Sequence, residues 1–187
     1  MHNDAHSDLQ INNSEKGTIM IFQRLRAIFL LGLTLSCATS FALEEGDTIP
    51  EFNLASIYDG QPNIQLSNLE GKTLYIDFWA SWCAPCITSL PLYNELYDKY
   101  KDNGLEVIAI NVDNPIEDGL DFLLDTPLDF LIPQDPEGDA AELFGVIGMP
   151  SSYLVSPDGN VELVHMGFRN GDINVIEEEI KKVLQEN

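Results

Sequence analysis

Positively charged residues are scarce in this sequence. Lysine and arginine together number 9, against 31 aspartate and glutamate residues, which gives a formal net charge of −22 at pH 7. Nucleic-acid backbones and anionic membrane surfaces are bound through clustered cations. The shortage of cations therefore excludes nucleic acid and anionic membranes as the main binding partners.

Cysteine is also rare, with three residues in 187. A small disulfide-stapled protein carries more cysteines in a shorter chain, and a cysteine-rich zinc module needs four ligands. Both classes are excluded, and no metal site is predicted. The hydrophobic fraction of 44% argues against a disordered acidic tail, and the length suits one ordinary domain with a sizeable core.

An apolar run of the roughly 20 residues that span a membrane is lacking. A shorter run, residues 27–35 (AIFLLGLTL), follows two arginines and precedes residues 40–42 (Ser-Phe-Ala), which offer small residues where a signal peptidase reads. This pattern predicts an export signal that starts at Met20 and is cleaved after Ala42. Residues 1–42 are then an upstream extension plus signal peptide, and residues 43–187 form one domain.

Two alternatives stay open for the N-terminal segment. It can be an uncleaved membrane anchor, although the apolar run is short. It can also be a lipoprotein signal attached at Cys37, although Thr34 stands where an aliphatic residue is expected. All three interpretations place the domain outside the cytoplasm, and a periplasmic location with a cleaved signal is the one predicted. Exported thiols meet conditions in which disulfides form.

Apolar periodicity predicts strands that alternate with helices. This order of elements predicts an α/β fold around a mixed sheet. The predicted strands are 52–57 and 64–66 (an opening hairpin), 73–79, 105–112, 129–132, 152–156 and 161–166, and the predicted helices are 84–100, 116–124, 139–144 and 173–184.

One motif places two cysteines close enough in sequence to react with each other. Residues 82–86 (Trp-Cys-Ala-Pro-Cys) stand between a predicted strand and the start of a predicted helix. Cysteines three apart on a first helical turn share one face and are close enough for a disulfide. The helix start stabilises the Cys83 thiolate and lowers the pKa of that thiol. Cys86 lies one turn further in and is placed to resolve a mixed disulfide formed on Cys83.

A buried cysteine pair and half of a zinc site are the alternative interpretations. Zinc fails on the ligand count, because only Cys83, Cys86 and His165 remain as soft ligands after the predicted signal is removed, and His165 belongs to a distant strand. Trp82, Pro85, the strand before the motif and the helix after it favour the redox interpretation.

The residues around this motif resemble the active site of the thioredoxin superfamily. The match comprises residues 77–86 (Asp-Phe-Trp-Ala-Ser-Trp-Cys-Ala-Pro-Cys), Pro91, and residues 148–153 (Gly-Met-Pro-Ser-Ser-Tyr) in the place of the family's cis-proline loop. Over residues 46–178 the chain is most similar to exported TlpA/ResA/DsbE-like thiol-disulfide reductases. The resemblance implies a thioredoxin-like fold, with a central mixed sheet flanked by helices, an N-terminal hairpin and a mid-domain insertion.

The resemblance also implies roles for individual residues. Cys83 becomes the attacking thiol and Cys86 the resolving thiol, and no cofactor is implied beyond their redox-active disulfide. The bond between Met149 and Pro150 becomes a cis peptide that faces the cysteines and presents backbone to a substrate strand. The implied substrate-binding residues are Trp82, Pro85, Met149, Pro150 and Ser151. Peroxiredoxins share the fold but need a threonine where Ala80 stands, which weakens a peroxidase interpretation.

Asp77 is a third candidate for the chemistry. Its strand neighbours Tyr75 and Trp79 share its face, so the carboxyl group is expected to be buried, with a raised pKa suited to moving the proton of Cys86. The alternative is an aspartate satisfied by nearby hydroxyl or backbone groups. Cytosolic thioredoxins pair this aspartate with a lysine of the next strand, which is missing here, and Ile87 replaces the basic residue that commonly follows the second cysteine.

The sequence thus predicts an exported protein dithiol-disulfide oxidoreductase that reduces disulfides of client proteins, apocytochrome c being one candidate client in cytochrome c maturation. Its expected partners are a cysteine-bearing client and an upstream electron donor, such as a membrane thiol-disulfide transporter, and it is expected to be a monomer. Two alternatives stay open: a disulfide oxidase or isomerase, and a binding module whose disulfide is only structural.

The distribution of charge adds one further prediction. Residues 78–94 and 143–157 contain no charged side chain, and these are the segments of the cysteine motif and of the proposed cis-proline loop. We expect them to meet as one uncharged, largely apolar docking face around Cys83. The negative field around that face should raise the pKa of the Cys83 thiol, against the effect of the helix start.

Overall fold

The computed structural model describes residues 42–186. The predicted export signal, the alternative anchor and the alternative lipidation site at Cys37 lie outside the described residues. Within the described part of the chain, no helix combines the length and the apolar content needed to cross a membrane.

Strands and helices alternate along the chain as predicted, most of them within two residues of the predicted bounds. Short 3₁₀ turns at Leu66–Leu69 and Lys101–Asn103 join some of them. The elements are β1 (Asn53–Leu54), β2 (Ile64–Gln65), β3 (Thr73–Trp79), α1 (Ala84–Tyr100), β4 (Leu105–Asn111), α2 (Glu117–Asp125), α3 (Asp139–Leu143), β5 (Ser151–Val155), β6 (Val161–Met166) and α4 (Asp172–Glu186).

The main sheet is mixed and has the strand order β4-β3-β5-β6. β3 runs parallel to β4 and antiparallel to β5, and β5 pairs antiparallel with β6. Every residue of β3 and β4 is buried, as expected of branched, apolar strands covered on both faces. β1 and β2 form a separate antiparallel hairpin. The predicted α/β fold with an N-terminal hairpin is confirmed, although each hairpin strand is only two residues long.

Apolar side chains form one core on each face of the sheet. On one face, α1 and α4 pack against β3, and their buried side chains include Leu90, Tyr93, Ile176 and Ile180. On the other face, the hairpin and α3 cover the sheet, and the Phe78 and Phe144 rings stand edge to face at 5.2 Å. The cysteine motif belongs to the first face, because α1 starts directly after β3.

Helix α1 spans the predicted residues and continues through Pro91. Its buried stripe differs from the predicted one. Ile87, expected on the core side, is 37% exposed, and the stripe begins at Cys86 and continues through Ser89 and Leu90. A helical face repeats every three or four residues, so burial of Cys86 turns the adjacent Ile87 outward.

The predicted strand at 129–132 is wrong as a ladder strand. One isolated parallel bridge, between Ile108 and Leu131, joins this segment to β4, and a second joins Asn111 to Gln134 just beyond it. Pro133 is the physical reason, since proline has no N–H to continue the ladder. The Ala109 carbonyl opposite this segment accepts the Trp79 indole N–H at 3.2 Å instead.

Candidate active site

The two cysteines of the motif form a disulfide at the junction of β3 and α1. The Cys83–Cys86 bond measures 1.95 Å between sulfurs, and the two Cα atoms lie 5.2 Å apart. Cys83 is the N-cap residue of α1, and Pro85 occupies the first helical turn, where its missing N–H has no intrahelical partner to lose. The short turn before the helix is closed by the Cys83 N–H, which donates to the Ala80 carbonyl at 3.1 Å.

The two sulfur-bearing residues differ in exposure. Cys83 is 6% exposed and Cys86 is fully buried. The first-turn amides of a helix carry a partial positive charge, which stabilises a thiolate placed at the N-cap. An incoming sulfur can therefore reach Cys83 before it can reach Cys86.

The proposed cis-proline loop leads into β5, which pairs with β3, and β3 ends shortly before the cysteine motif. The Met149–Pro150 peptide is cis, as the resemblance implies, and Met149 packs in the same apolar cluster as Cys83 and Cys86. The Pro150 carbonyl accepts the Gly167 N–H at 2.8 Å. The cysteine motif and the loop are distant in sequence and are brought together because Phe78, near the end of β3, pairs with Ser151, at the start of β5.

The predicted substrate-binding residues do not all lie at the surface. Trp82 is 68% exposed, and Pro85 is exposed beside it. Ser151, in contrast, is buried, and its hydroxyl donates to the Gly148 carbonyl at 2.7 Å. Its side chain therefore fixes the loop and offers no free group to a ligand.

Asp77 is fully buried on the face of the sheet that carries Tyr75 and Trp79. Its Oδ1 accepts a hydrogen bond from the Ser152 hydroxyl at 2.6 Å, and its Oδ2 accepts none from the described residues. Burial raises the pKa of Asp77 to about 8, and the Ser152 hydrogen bond lowers it in part. The expected burial and raised pKa are both present.

Two aromatic side chains extend this buried environment. The Tyr75 and Tyr93 rings stand edge to face with centroids 5.0 Å apart. Burial, and then the negative charge of Asp77, raises the pKa of the Tyr93 hydroxyl. These hydroxyl groups therefore stay protonated while Asp77 titrates.

Sequence reasoning missed two polar side chains of this region, Ser152 and Asp113. Ser152 lies directly opposite Asp77 in the β3–β5 register. Asp113 follows β4 and accepts hydrogen bonds from Ser81, two residues before Cys83. A signal for Asp113 was available, since polar residues that follow parallel strands gather at the same sheet edge as the end of β3. Ser152 had no such signal, because its partner depends on strand register.

The sequence segments that carry the disulfide and the cis-proline loop are largely apolar and contain no lysine or arginine. Ile147, in the loop before Met149, is 83% exposed, as Trp82 is exposed before Cys83. No lysine or arginine occurs in residues 73–98 or 102–168. Among residues 42–186, no group of three or more His, Cys, Asp and Glu side chains is placed to hold a metal ion.

A disulfide at a helix start, one partly accessible sulfur and a neighbouring cis-proline define a thiol-disulfide oxidoreductase built on the thioredoxin fold. Residues 46–164 match the sequence profile of the AhpC/TSA family. The chain belongs to this family and, within it, to the thiol-disulfide oxidoreductases of the ResA and DsbE type.

The similar proteins include curated sequences and a solved structure that are described as thiol-disulfide oxidoreductases or interchange proteins. Thiol-disulfide oxidoreductase ResA of Oceanobacillus iheyensis is 36% identical over 124 residues, which are 65% of this chain and 65% of that protein. ResA of Bacillus thuringiensis subsp. konkukian is 33% identical over 141 residues, 75% of this chain and 79% of that protein. A crystal structure from Chlorobium tepidum, described as a thiol:disulfide interchange protein DsbE, has a TM-score of 0.73 and 40% identity and covers 76% of this chain and 99% of its own.

Proposed function

We propose that this protein is an exported reductase of client-protein disulfides and that Cys83 and Cys86 carry the electrons. The observation that carries the proposal is the unequal accessibility of the two cysteines at the start of α1, with Cys83 6% exposed and Cys86 fully buried. An attacking thiol must reach a client sulfur, and a resolving thiol must be protected until the mixed disulfide has formed.

The exchange runs in two balanced steps. The Cys83 thiolate attacks one sulfur of the client disulfide, the client S–S bond breaks, and a Cys83–client disulfide forms while the released client thiolate takes up a proton. Cys86 then loses its proton and attacks the Cys83 sulfur, which releases the second client thiolate. The client disulfide is reduced by two electrons, and the protein is left with the Cys83–Cys86 disulfide.

Asp77 is the proposed acceptor of the Cys86 proton. A carboxyl group with a pKa of about 8 holds or releases a proton at the pH where thiols exchange. Desolvation makes the ionised form of Asp77 the minor one below about pH 8, and this ionised form is the one that takes the Cys86 proton. Ionisation of either group makes ionisation of the other less favourable. Asp77 is therefore proposed to pass protons and not to stabilise a permanent Cys86 thiolate.

The client is proposed to dock on the uncharged face formed by residues 78–94 and 143–157. Trp82 and Pro85 supply exposed apolar surface, and Met149 is proposed to present its backbone to the client strand. Pro150 is buried, and its carbonyl accepts the Gly167 N–H, so its proposed part is to shape the loop. Ser151 contributes by holding the loop through its bond to Gly148. The proposed client is a protein with a cysteine pair, apocytochrome c being one candidate, and a membrane thiol-disulfide transporter is the proposed electron donor to a monomeric protein.

Trapping tests this proposal. Cys86→Ser retains the attacking thiol and removes the resolving one, so a client attacked by Cys83 stays covalently bound. Cys83→Ser is the matched control, because it keeps the buried thiol and removes the accessible one. We expect thiol-sensitive adducts with Cys86→Ser and none with Cys83→Ser. Absence of adducts from both variants under oxidising conditions would favour a binding module with a structural disulfide.

A further inference from the structure

A second buried carboxyl group, Asp113, lies against the turn that carries Cys83. The side chain is fully buried. Its Oδ2 accepts the Ser81 backbone N–H at 2.9 Å and the Asn111 side-chain amide at 2.7 Å, and its Oδ1 accepts the Ser81 hydroxyl at 2.9 Å. Two N–H groups and one hydroxyl converge on this carboxyl group, an arrangement that the ionised form satisfies without a proton of its own. The chain therefore buries a negative charge at this point.

The position of this carboxylate is also fixed by Asn111. The Asn111 side-chain oxygen accepts the Asp113 N–H at 3.1 Å, so the two residues bind each other twice. Gly119 of α2 makes room for the Asn111 side chain, since a Cβ atom there would lie 2.8 Å from both ends of its amide. β4 and α2 together thus hold Asp113 in place.

The turn in front of Asp113 leads directly to the reactive cysteine. Ser81 precedes Cys83 by two residues, so their Cα atoms lie at most about 7 Å apart. The Cys83 N–H bond to the Ala80 carbonyl closes this turn. Both the backbone and the side chain of Ser81 are bound by Asp113, which therefore fixes how the chain enters the helix.

Asp113 has no ion-pair partner in the described part of the chain. None of the ion pairs there includes Asp113, and the flanking sequence from 102 to 168 lacks lysine and arginine. A like charge nearby disfavours a thiolate, whereas a helix N-terminus favours one. The two influences oppose each other at Cys83.

We propose that Asp113 is a positioning residue of the active site, which fixes the Ala80–Cys83 turn and whose negative charge keeps the Cys83 sulfur a thiol between exchange reactions. This inference rests on the proposed function of Cys83 as the attacking group. Strong disulfide oxidants owe their potential to a stabilised reduced form. A carboxylate that destabilises the Cys83 thiolate acts in the opposite direction and suits a reductant.

The rate at which iodoacetamide alkylates Cys83, followed by peptide mass spectrometry across a range of pH, tests this role on the reduced full chain. Asp113→Asn removes the charge with little change of shape. We expect the midpoint of the rate profile to fall by about one pH unit, and alkylation below the midpoint to become about tenfold faster. The other titratable groups on this face are unchanged in the variant: Asp77, Tyr75, Cys86, Tyr93 and His165.

Two control variants separate charge from general disturbance. Ser81→Ala keeps the carboxylate and loses one hydrogen bond, so its midpoint should stay within about 0.3 unit of the wild type. Asp135→Asn alters another buried carboxyl group, which accepts the N–H groups of Ala140 and Ala141, and it should leave the midpoint unchanged. A midpoint moved equally by all three variants contradicts the proposal, as does a folded Asp113→Asn with the wild-type midpoint.

A measurement on the wild-type protein tests the proposal independently, because it does not require any variant to fold. The proposal predicts a Cys83 midpoint near the ordinary cysteine value of about 8.5 despite the helix start, and a midpoint below about 7 overturns it. Reduction of insulin by the wild type tests the proposed function separately. An inactive wild type whose midpoint still falls on Asp113→Asn contradicts the reductase proposal and leaves the role of Asp113 standing.

Discussion

The hydroxyl of Ser152 donates a 2.6 Å hydrogen bond to the fully buried carboxyl group of Asp77. The two residues are direct partners in the β3–β5 register, and Ser152 stands two residues after the cis-proline Pro150. The bond partly offsets the desolvation that raises the pKa of Asp77 to about 8. Strand pairing therefore lowers, in part, the burial-raised pKa of a carboxyl group on the same face of the sheet as the cysteine motif.

Replacing Asp77 by asparagine should remove a pH-dependent loss of stability. The folded pKa of Asp77 is raised from 3.8 to about 8, so between these values the folded state binds a proton that the unfolded state has released. The stability contributed by the neutral carboxyl is full below about pH 4 and is lost as pH rises towards 8. Urea unfolding of the oxidised proteins at several pH values measures the effect.

We expect the free energy of unfolding of the variant to rise relative to that of the wild type as the pH increases. Within this window, the difference in free energy of unfolding should change in favour of Asp77→Asn by up to ~1.4 kcal/mol per pH unit. Parallel stability profiles from pH 5 to 8 would mean that Asp77 titrates outside the window and cannot pass protons during exchange.

Removing the Ser152 hydroxyl should make Asp77 harder to ionise. The hydrogen bond lowers the pKa of Asp77, and one hydrogen bond is worth roughly 1 kcal/mol, or about 0.7 of a pKa unit. Ser152→Ala should raise the pKa of Asp77 by about that amount, as read from carbon-detected NMR titration of the carboxyl group.

The neighbouring serine is a matched control for this change. Ser151 lies on the same strand, is equally buried, and its hydroxyl bonds to Gly148 and not to Asp77. Ser151→Ala should leave the Asp77 titration where it is. Equal shifts in both variants would show that loop packing, and not the hydrogen bond, controls the carboxyl group.

A methyl group on Gly119 should destabilise the fold. The added Cβ would meet both terminal atoms of the Asn111 amide at 2.8 Å, and that amide is buried and bonded to Asp113. Gly119→Ala should lower the free energy of unfolding by about 1–3 kcal/mol despite the better helix propensity of alanine. Chemical denaturation measures the change.

Gly148 offers the matching site without crowding. A Cβ there would meet no atom within 4 Å, so Gly148→Ala should change the free energy of unfolding by less than about 0.5 kcal/mol. A Gly119→Ala protein as stable as Gly148→Ala would show that Asn111 can move aside and that the Asp113 network is loose.

Sequence periodicity predicted correctly the strands and helices that have an unbroken apolar run or a single buried face. β3 and α1 have the predicted bounds because each is long and its burial follows one face or an unbroken apolar run. The segment at 129–132 has the same apolar character, but Pro133 cannot donate the next ladder bond and the Ala109 carbonyl turns to the Trp79 indole. The amino-acid composition of this segment does not show that the Trp79 indole takes the place of a ladder bond at the Ala109 carbonyl.

The chemistry of the site was predicted where it depends on spacing and missed where it depends on register. Cys83 and Cys86 are three residues apart, so one helical turn brings them together. Ser152 reaches Asp77 only because β5 pairs with β3 at one register. A second cis peptide, Asn114–Pro115 beside Asp113, has no counterpart among the predictions, because sequence alone favours trans at most prolines.

The central claim, that Cys83 and Cys86 exchange electrons with client disulfides as a reductant, is tested most directly by equilibration with glutathione. The protein is incubated over a series of reduced to oxidised glutathione ratios, quenched with acid and alkylated, and the fraction of the Cys83–Cys86 disulfide is measured. We expect full interconversion with a reduction potential well below that of the strong periplasmic oxidants, which is about −120 mV. A potential near −120 mV, or a disulfide that never exchanges, would contradict it.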